Sequence, residues 1–496
     1  MRICLLTGGG YPYRRDALGG WCRSLVEGLS TCTFDLLTIT EREPAGRPAY
    51  PLPVNVASVR AVTPPRDHPR RSEHADAGTA AAQLICRGLL GEPEHADQMF
   101  ADGLVRLAGL ASPDEPPLAG VPLADVLLDA WRASRSEPAR PDRPPLPRLT
   151  IRDARTAATL LRHAARALVV GLPNADLVHC VGGTTPLLAA LAGRWRTGIP
   201  LLLTEARAPV ARLRPAEERL SPAVRTVLRR FRRSVAYTGY AEAGLIAPLS
   251  AYHHGWALRH GATPARLVQV PAGVDPLDFP AFPESEKELA IVWAGSGGPD
   301  SGLKALLEAF AHVVTAAPGT VLHLVGVTAA HEDHAAEQVD RTGLGRKVRL
   351  HPLPADPRDR YAAGNVVVHV PGPADPPYRL IEAMMSGRAV IGVDVGPAAE
   401  TLGDTGVLVP ANDPAALAAA CLSLLRAPNH RRALGEAARS RALACFTTDR
   451  VVRAYGALYT DLAGPPPAPA FELALAVPAP RAAVPTTVRW LIREDR

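Results

Sequence analysis

Short apolar runs recur along this chain, separated by stretches whose apolar residues fall at helical spacing. The opening "MRICLLTGG" is an apolar run that ends in glycine, the pattern of a buried strand followed by a turn. "GGWCRSLVEGL" then predicts a helix, and "FDLLTIT" the next strand. The alternation breaks over residues 61–150, a Pro-, Arg- and Ala-rich stretch. Pieces of it, such as "GTAAAQLICRGLL" and "LADVLLDAWRAS", have helical spacing, and "PARPDRPPLPR" reads as a spacer. It is expected to be an insertion, helical in part. The alternation resumes with "ADLVHCVG", "PLLLTEA", "AGLIAPLS" and "ARLVQVPAG" as strands. The Pro-rich "GVDPLDFPAFPESEKE" leads into a second series: "LAIVWAG", "TVLHLVG", "KVRLHPL", "NVVVHVPG", "AVIGVDVG" and "GVLVP".

Short apolar strands alternating with helices predict parallel sheets covered on both faces, hence an α/β chain. Two such series predict two Rossmann-like domains facing across a cleft, with ligands beyond the carboxyl ends of the strands. The expected division is an N-terminal domain at 1–280 and a C-terminal domain at 286–445. A closing helix at 446–462 and a Pro/Ala-rich tail at 463–496 follow.

Composition narrows the function classes. With 496 residues the chain exceeds one ordinary core, and 47% hydrophobic against 21% charged content is that of a globular protein. The net charge of +6 is not gathered beside aromatics, so nucleic acid is not expected as a partner. The densest basic run, "VRTVLRRFRRS", predicts one helix that is either solvated or docked on an anionic membrane surface. The seven cysteines are scattered without metal-binding spacing and read as small buried hydrophobes of a cytoplasmic protein. No leader and no transmembrane run is expected, and no metal or cofactor.

The candidate chemistry lies in the second domain. "IVWAGSGGPDSGLKALLEAF" is a strand, a glycine turn around Gly295 and a helix, an arrangement whose free N–H groups attract anions. Its first cation is Lys304, already inside the helix.

"PPYRLIEAMMSGRAVIGVDVGPAAETLGDTGVLVPANDP" resembles the C-terminal domain of the retaining, GT-B-fold glycosyltransferases of family 4. "YPYRRDALGGWCRSLVEGL", "LLLTEARAPVARLR" and "GLIAPLSAYHHGWALRHGATPARLVQVPAGVDP" resemble the Pel-polysaccharide-type branch of that family. The resemblance implies transfer of a sugar, with retention and without a metal, from a nucleotide-sugar such as a UDP-sugar to an acceptor hydroxyl. It implies a place in polysaccharide biosynthesis, in the cytoplasm or peripherally at the inner membrane face.

Carried over residue by residue, Glu382 matches the ribose-holding second Glu of the family's E-x7-E motif. The first Glu falls on Ala374, and the active-site His on Ala206. The diphosphate-clamping Arg and Lys fall on Ser296 and Ser301, so Lys304 and Arg379 are the cations expected to compensate. The N-terminal glycine pair falls on Asp16 and Ala17, and Gly19 and Gly20 follow three positions later, where a shifted turn is expected. These departures open a second reading: a catalytically silent binding module, a regulatory or scaffold partner of an active glycosyltransferase.

Overall fold

The computed structural model describes residues 1–40, 47–64, 74–91, 93–112, 116–136, 145–206, 217, 219–284, 288–299, 301–372 and 375–464. The N-terminal domain begins with β1 (Arg2–Gly8), α1 (Ala17–Gly28), β2 (Thr33–Ile39) and β3 (Val56–Val62). Helices α2 (Ala75–Leu90), α3 (Pro93–Leu110), α4 (Leu123–Ser136) and α5 (Ile151–Ala165) follow. Then come β4 (Leu177–Val181), α6 (Thr184–Thr197), β5 (Leu201–Glu205), α7 (Pro222–Glu242), β6 (Leu245–Pro248) and α8 (Ala251–Arg259).

The second domain runs β7 (Ala290–Ala294), α9 (Leu303–Ala316), β8 (Val321–Val325), α10 (Glu332–Arg341), β9 (Val348–His351) and β10 (Val366–His369). It continues through α11 (Tyr378–Met385), β11 (Ala389–Val393), α12 (Ala398–Leu402) and β12 (Val407–Val409). Helices α13 (Pro414–Arg426), α14 (Pro428–Cys445) and α15 (Thr448–Ala463) close the described chain.

All strand pairs are parallel, in two sheets of order β3-β2-β1-β4-β5-β6 and β12-β11-β10-β7-β8-β9. Each sheet reverses direction between its first and fourth strands, the Rossmann order. The strands at the centre are buried along their whole length, which explains their uninterrupted apolar runs.

One expectation needs correcting. "ARLVQVPAG" does not form a strand: Pro264–Arg266 is a 3-10 turn, and only one bridge, Ile246 to Leu267, joins the segment to β6. Val268 and Val270 donate to the Ile246 and Pro248 carbonyls at 2.9 and 3.0 Å, but no regular ladder forms. The helices of the stretch after residue 61 pack into the core of this domain. Phe100, Leu104, Leu127 and Trp131 are buried in one core with Leu188, Val227 and Phe231 of α6 and α7. The basic helix packs on the same core. α7 is anchored by buried Val224, Val227, Phe231 and Val235, while Arg232 pairs with Glu217 and Arg230 donates to the Leu89 carbonyl at 3.0 Å. Of its arginines only Arg229 and Arg233 are exposed.

The domains are tied at several points. The linker strand residue Val274 exchanges backbone hydrogen bonds with Phe446 and Thr448, and Glu284 pairs with buried Arg431 of α14 at 2.6 Å. α15 then returns to the N-terminal domain and packs on α1, with Tyr455 edge-on to Trp21 at 5.3 Å. Between α15 and the first sheet, His179 bonds the Tyr459 hydroxyl and Thr204, each at 2.7 Å, and Thr204 bonds Tyr455 at 2.7 Å. On the other side, the Glu400 carboxylate of α12 accepts from the N–H groups of Ala251 and Tyr252 at the start of α8 (2.7 and 3.2 Å).

Candidate donor site

The second sheet changes direction between β7 and β10, so its ligand crevice lies above their carboxyl ends. Two connections line it: residues 295–302 after β7, and the segment from Val370 into α11. In the first, the Ser301 N–H and Oγ both donate to the Gly298 carbonyl, at 3.0 and 2.5 Å, closing a tight turn. Gly302 has a φ of 75°, and a Cβ there would lie 2.5 Å from Val370 Cγ1. Only glycine lets this turn press onto the end of β10. The Ser296 carbonyl accepts from the Thr328 N–H at 3.1 Å, and Gly295 donates to the Val325 carbonyl at 2.9 Å. Gly295, Ser296 and Ser301 therefore sit in the crevice loop. Lys304 does not: its side chain is 82% exposed on α9, 3.9 Å from Glu308.

Arg379, in the first turn of α11, is partly buried, and its Nη1 has no hydrogen-bond partner among the described residues. A Cβ at Gly326 would lie 3.9 Å from that nitrogen and 3.5 Å from the Gly295 carbonyl. The guanidinium thus stands over the loops that follow β7 and β8. Burial, reinforced by the Arg379 charge, holds the His369 imidazole at the end of β10 down to about 3.

One turn along α11, Glu382 is only 5% exposed. Its Oε2 accepts from Arg360 Nη1 at 2.5 Å and from the Tyr361 hydroxyl at 3.1 Å. Arg360 and Tyr361 lie at the end of the 3-10 turn Pro357–Arg360 and just after it, between β9 and β10. The Arg360 guanidinium rests over the Phe279 ring at 5.4 Å, and Tyr361 is buried. Behind them Arg388, 1% exposed, donates to the carbonyls of Phe282 (2.8 Å) and Ala362 (3.2 Å), tying the linker to this turn. Burial raises the Asp278 carboxyl nearby, partly offset by Arg23 of α1 at 3.8 Å. Sequence reading missed Arg360, Tyr361 and Arg388. Their partners lie 18 to 106 positions away, beyond any local pattern.

Ala374 lies outside the described residues. Asp375 beside it closes the loop, its Oδ2 accepting from the Gly372 N–H at 2.8 Å. In the N-terminal domain, Ala206 follows β5, fully buried, and a Cβ on Gly182 would touch its methyl at 3.9 Å. Its neighbour Glu205 is also buried and accepts from the Tyr240 hydroxyl at 2.6 Å. Gly19 and Gly20 lie within the first turns of α1 rather than in a loop, and Asp16 caps that helix by accepting from the Gly19 N–H at 2.7 Å. Among the described residues no group of three or more His, Cys, Asp or Glu could hold a metal ion, and no helix is long and apolar enough to cross a membrane.

Two Rossmann-order sheets, linked by a Pro-rich connection and a C-terminal helix that returns to the first domain, define the GT-B fold. The chain belongs to the family described as domain of unknown function (DUF3492), which matches residues 1–265, and residues 288–427 match the glycosyl transferases group 1 family. No curated protein matches it in sequence. Among solved structures it is similar to sucrose-phosphate synthase from Thermosynechococcus elongatus, at 19% identity and TM-score 0.59 over 93% of this chain and 98% of that one. HepE of Anabaena, solved with UDP and glucose, aligns at 15% identity and TM-score 0.57 over 93% of this chain and 99% of that one. WaaG, a glycosyltransferase involved in lipopolysaccharide biosynthesis, aligns at 13% identity and TM-score 0.53 over 94% and 100%. Identities this low establish the fold.

Proposed function

We propose that the protein is a glycosyltransferase that takes a sugar from a nucleotide-sugar, of the UDP type, to an acceptor hydroxyl. The finer reading is a retaining enzyme of family 4, near the Pel-polysaccharide branch, working without a metal. The observation that carries it is the Arg379 guanidinium, whose Nη1 is buried without a partner among the described residues at the switch-point crevice, one helical turn before Glu382. A buried, unshared guanidinium N–H calls for an anionic acceptor, and a diphosphate is the anion a GT-B crevice is shaped to take. HepE's complexes with UDP and UDP-glucose support the same ligand class.

In this reading the acceptor oxygen bonds to the anomeric carbon as the bond from that carbon to the diphosphate breaks. The electron pair leaves with the diphosphate and the hydroxyl proton passes to solvent. Arg379 meets the charge that grows on the leaving oxygen. Ser296 lines the opposite wall as a neutral donor, and Ser301 holds the turn. The free Oε1 of Glu382 accepts from the ribose.

A second reading rests on a separate observation. Ala206 is sealed in the protein interior, and the β7–α9 loop presents serines where the family clamp has cations. A nucleotide-binding module without turnover fits those facts. Thermal-shift titration with UDP and GDP, followed by turnover assays with their sugars, separates the two. Binding with turnover supports the transferase. Binding without turnover of any donor supports the silent module, and no binding at all removes both.

A further inference from the structure

Glu382 is not an unengaged carboxylate awaiting a ribose. It is 5% exposed, and both protein hydrogen bonds to it converge on one oxygen, Oε2. An ionised carboxylate this deep is costly unless a cation accompanies it. Arg360 is that cation, held on several sides although its Nε has no partner among the described residues. Its side chain is 14% exposed and its flat face lies on Phe279. The turn that carries it is pinned by Arg388 through the Ala362 carbonyl and by the Tyr361 hydroxyl, which reaches the Arg379 carbonyl at 3.1 Å. The last torsion of a glutamate is soft and two-fold. Two donors on Oε2 fix it, and no hydrogen bond among the described residues reaches Oε1.

Resting on the nucleotide-sugar reading, we infer that Arg360 is the positioning residue of the nucleoside subsite. It keeps Glu382 turned so that Oε1 alone receives the ribose hydroxyls. Arg360 does not itself touch the nucleotide. The site then distinguishes a ribonucleotide from its deoxy analogue through one oxygen, and that discrimination depends on Arg360. A clamp residue would behave otherwise, acting on the phosphates whatever the sugar carries.

Isothermal titration of the full chain with UDP, 2′,3′-dideoxy-UDP and uridine tests this. Arg360→Ala should weaken UDP about ten-fold, the worth of a hydrogen bond to a charged group, and dideoxy-UDP less than about two-fold. In a Glu382→Ala background, Arg360→Ala should have no further effect on UDP, since the two act as one unit. Arg360→Lys should restore part of the UDP affinity and secures the argument if the alanine variant folds poorly. Equal losses for UDP and dideoxy-UDP with uridine spared would make Arg360 a phosphate ligand and overturn the inference. Unchanged affinities in Arg360→Ala would overturn it too. If the wild-type chain binds no nucleotide, the transferase reading itself has failed, a result distinct from both.

Discussion

The side chain on which most depends is Arg379. A guanidinium is permanently charged and can hold two phosphate oxygens at once, so one arginine can replace much of a lost two-cation clamp. Arg379→Ala should therefore weaken UDP by about ten- to a hundred-fold, as expected for charge-assisted bonds, and leave uridine nearly unchanged. Titration of both ligands reads this out, and an equal loss for uridine would place Arg379 outside the phosphate subsite. Lys304 is the useful contrast. Its ammonium is solvated on α9, so Lys304→Ala should leave both affinities within about two-fold, because exposed pairs like the one with Glu308 contribute little. From sequence the two cations were equivalent candidates. The direction of the first turn of α11 separates them.

Among the elements, α14 and β11 meet with no room to spare. Gly435 of α14 lies against the start of β11, and a Cβ there would stand 2.3 Å from the Gly387 carbonyl oxygen and 3.1 Å from the Ala389 nitrogen. Both obstacles are backbone, which cannot rotate away as a side chain would. Gly435→Ala should thus destabilise by about 2–3 kcal/mol, in the range of overpacked cores. Gly109 in α3 has nothing within 4 Å of its Cβ position, so Gly109→Ala should be neutral or slightly stabilising, through the higher helix propensity of alanine. Urea unfolding of both variants checks the pair, and a neutral Gly435→Ala would mean that α14 shifts freely on the sheet. The same closeness beside β11 brings Arg388 under the linker and so fixes the turn of Arg360. Packing at a distance of one helix thereby reaches the candidate site.

At the scale of the whole molecule, α15 straps the second domain's end to the first sheet through His179. The imidazole bonds Tyr459 and Thr204 and stacks on Tyr455 at 5.2 Å, and burial pushes it down to about 3. In the unfolded chain the same group titrates near 6.5. Between these values the unfolded state binds a proton that the folded state refuses, so stability falls as pH drops below about 6.5. The slope is about 1.4 kcal/mol per pH unit for one such histidine. His253, held down to about 4 by burial, and His369 act in the same direction. His179→Gln keeps hydrogen-bonding capacity without the titration. Between pH 6.5 and 5 its stability should fall less steeply than that of the wild type, by about that slope. Parallel pH dependences in urea unfolding would show that His179 takes its proton while folded.

What the sequence by itself determined is the repetition of the fold. The central strands are buried on both faces, so "RICLLTG", "LVHCV", "AIVWA" and "VVVH" had to be continuous apolar runs, and such runs can be read without any structure. Strand β3 escaped because it lies at a sheet edge, where "VASVRAV" is only partly buried and its pattern weak. Glu382 and Arg379 were legible because they sit in one short motif on one helix. Only the tertiary structure decided what those residues meet. Arg360 reaches Glu382 from another loop, Arg388 gathers carbonyls from the linker, and His179 finds Tyr459 at a separation of 280 residues. Burial of a strand is enforced at every position by solvent, and so it is written locally. A pairing between two charged side chains is enforced once, by the fold that brings them within reach, and leaves no local pattern.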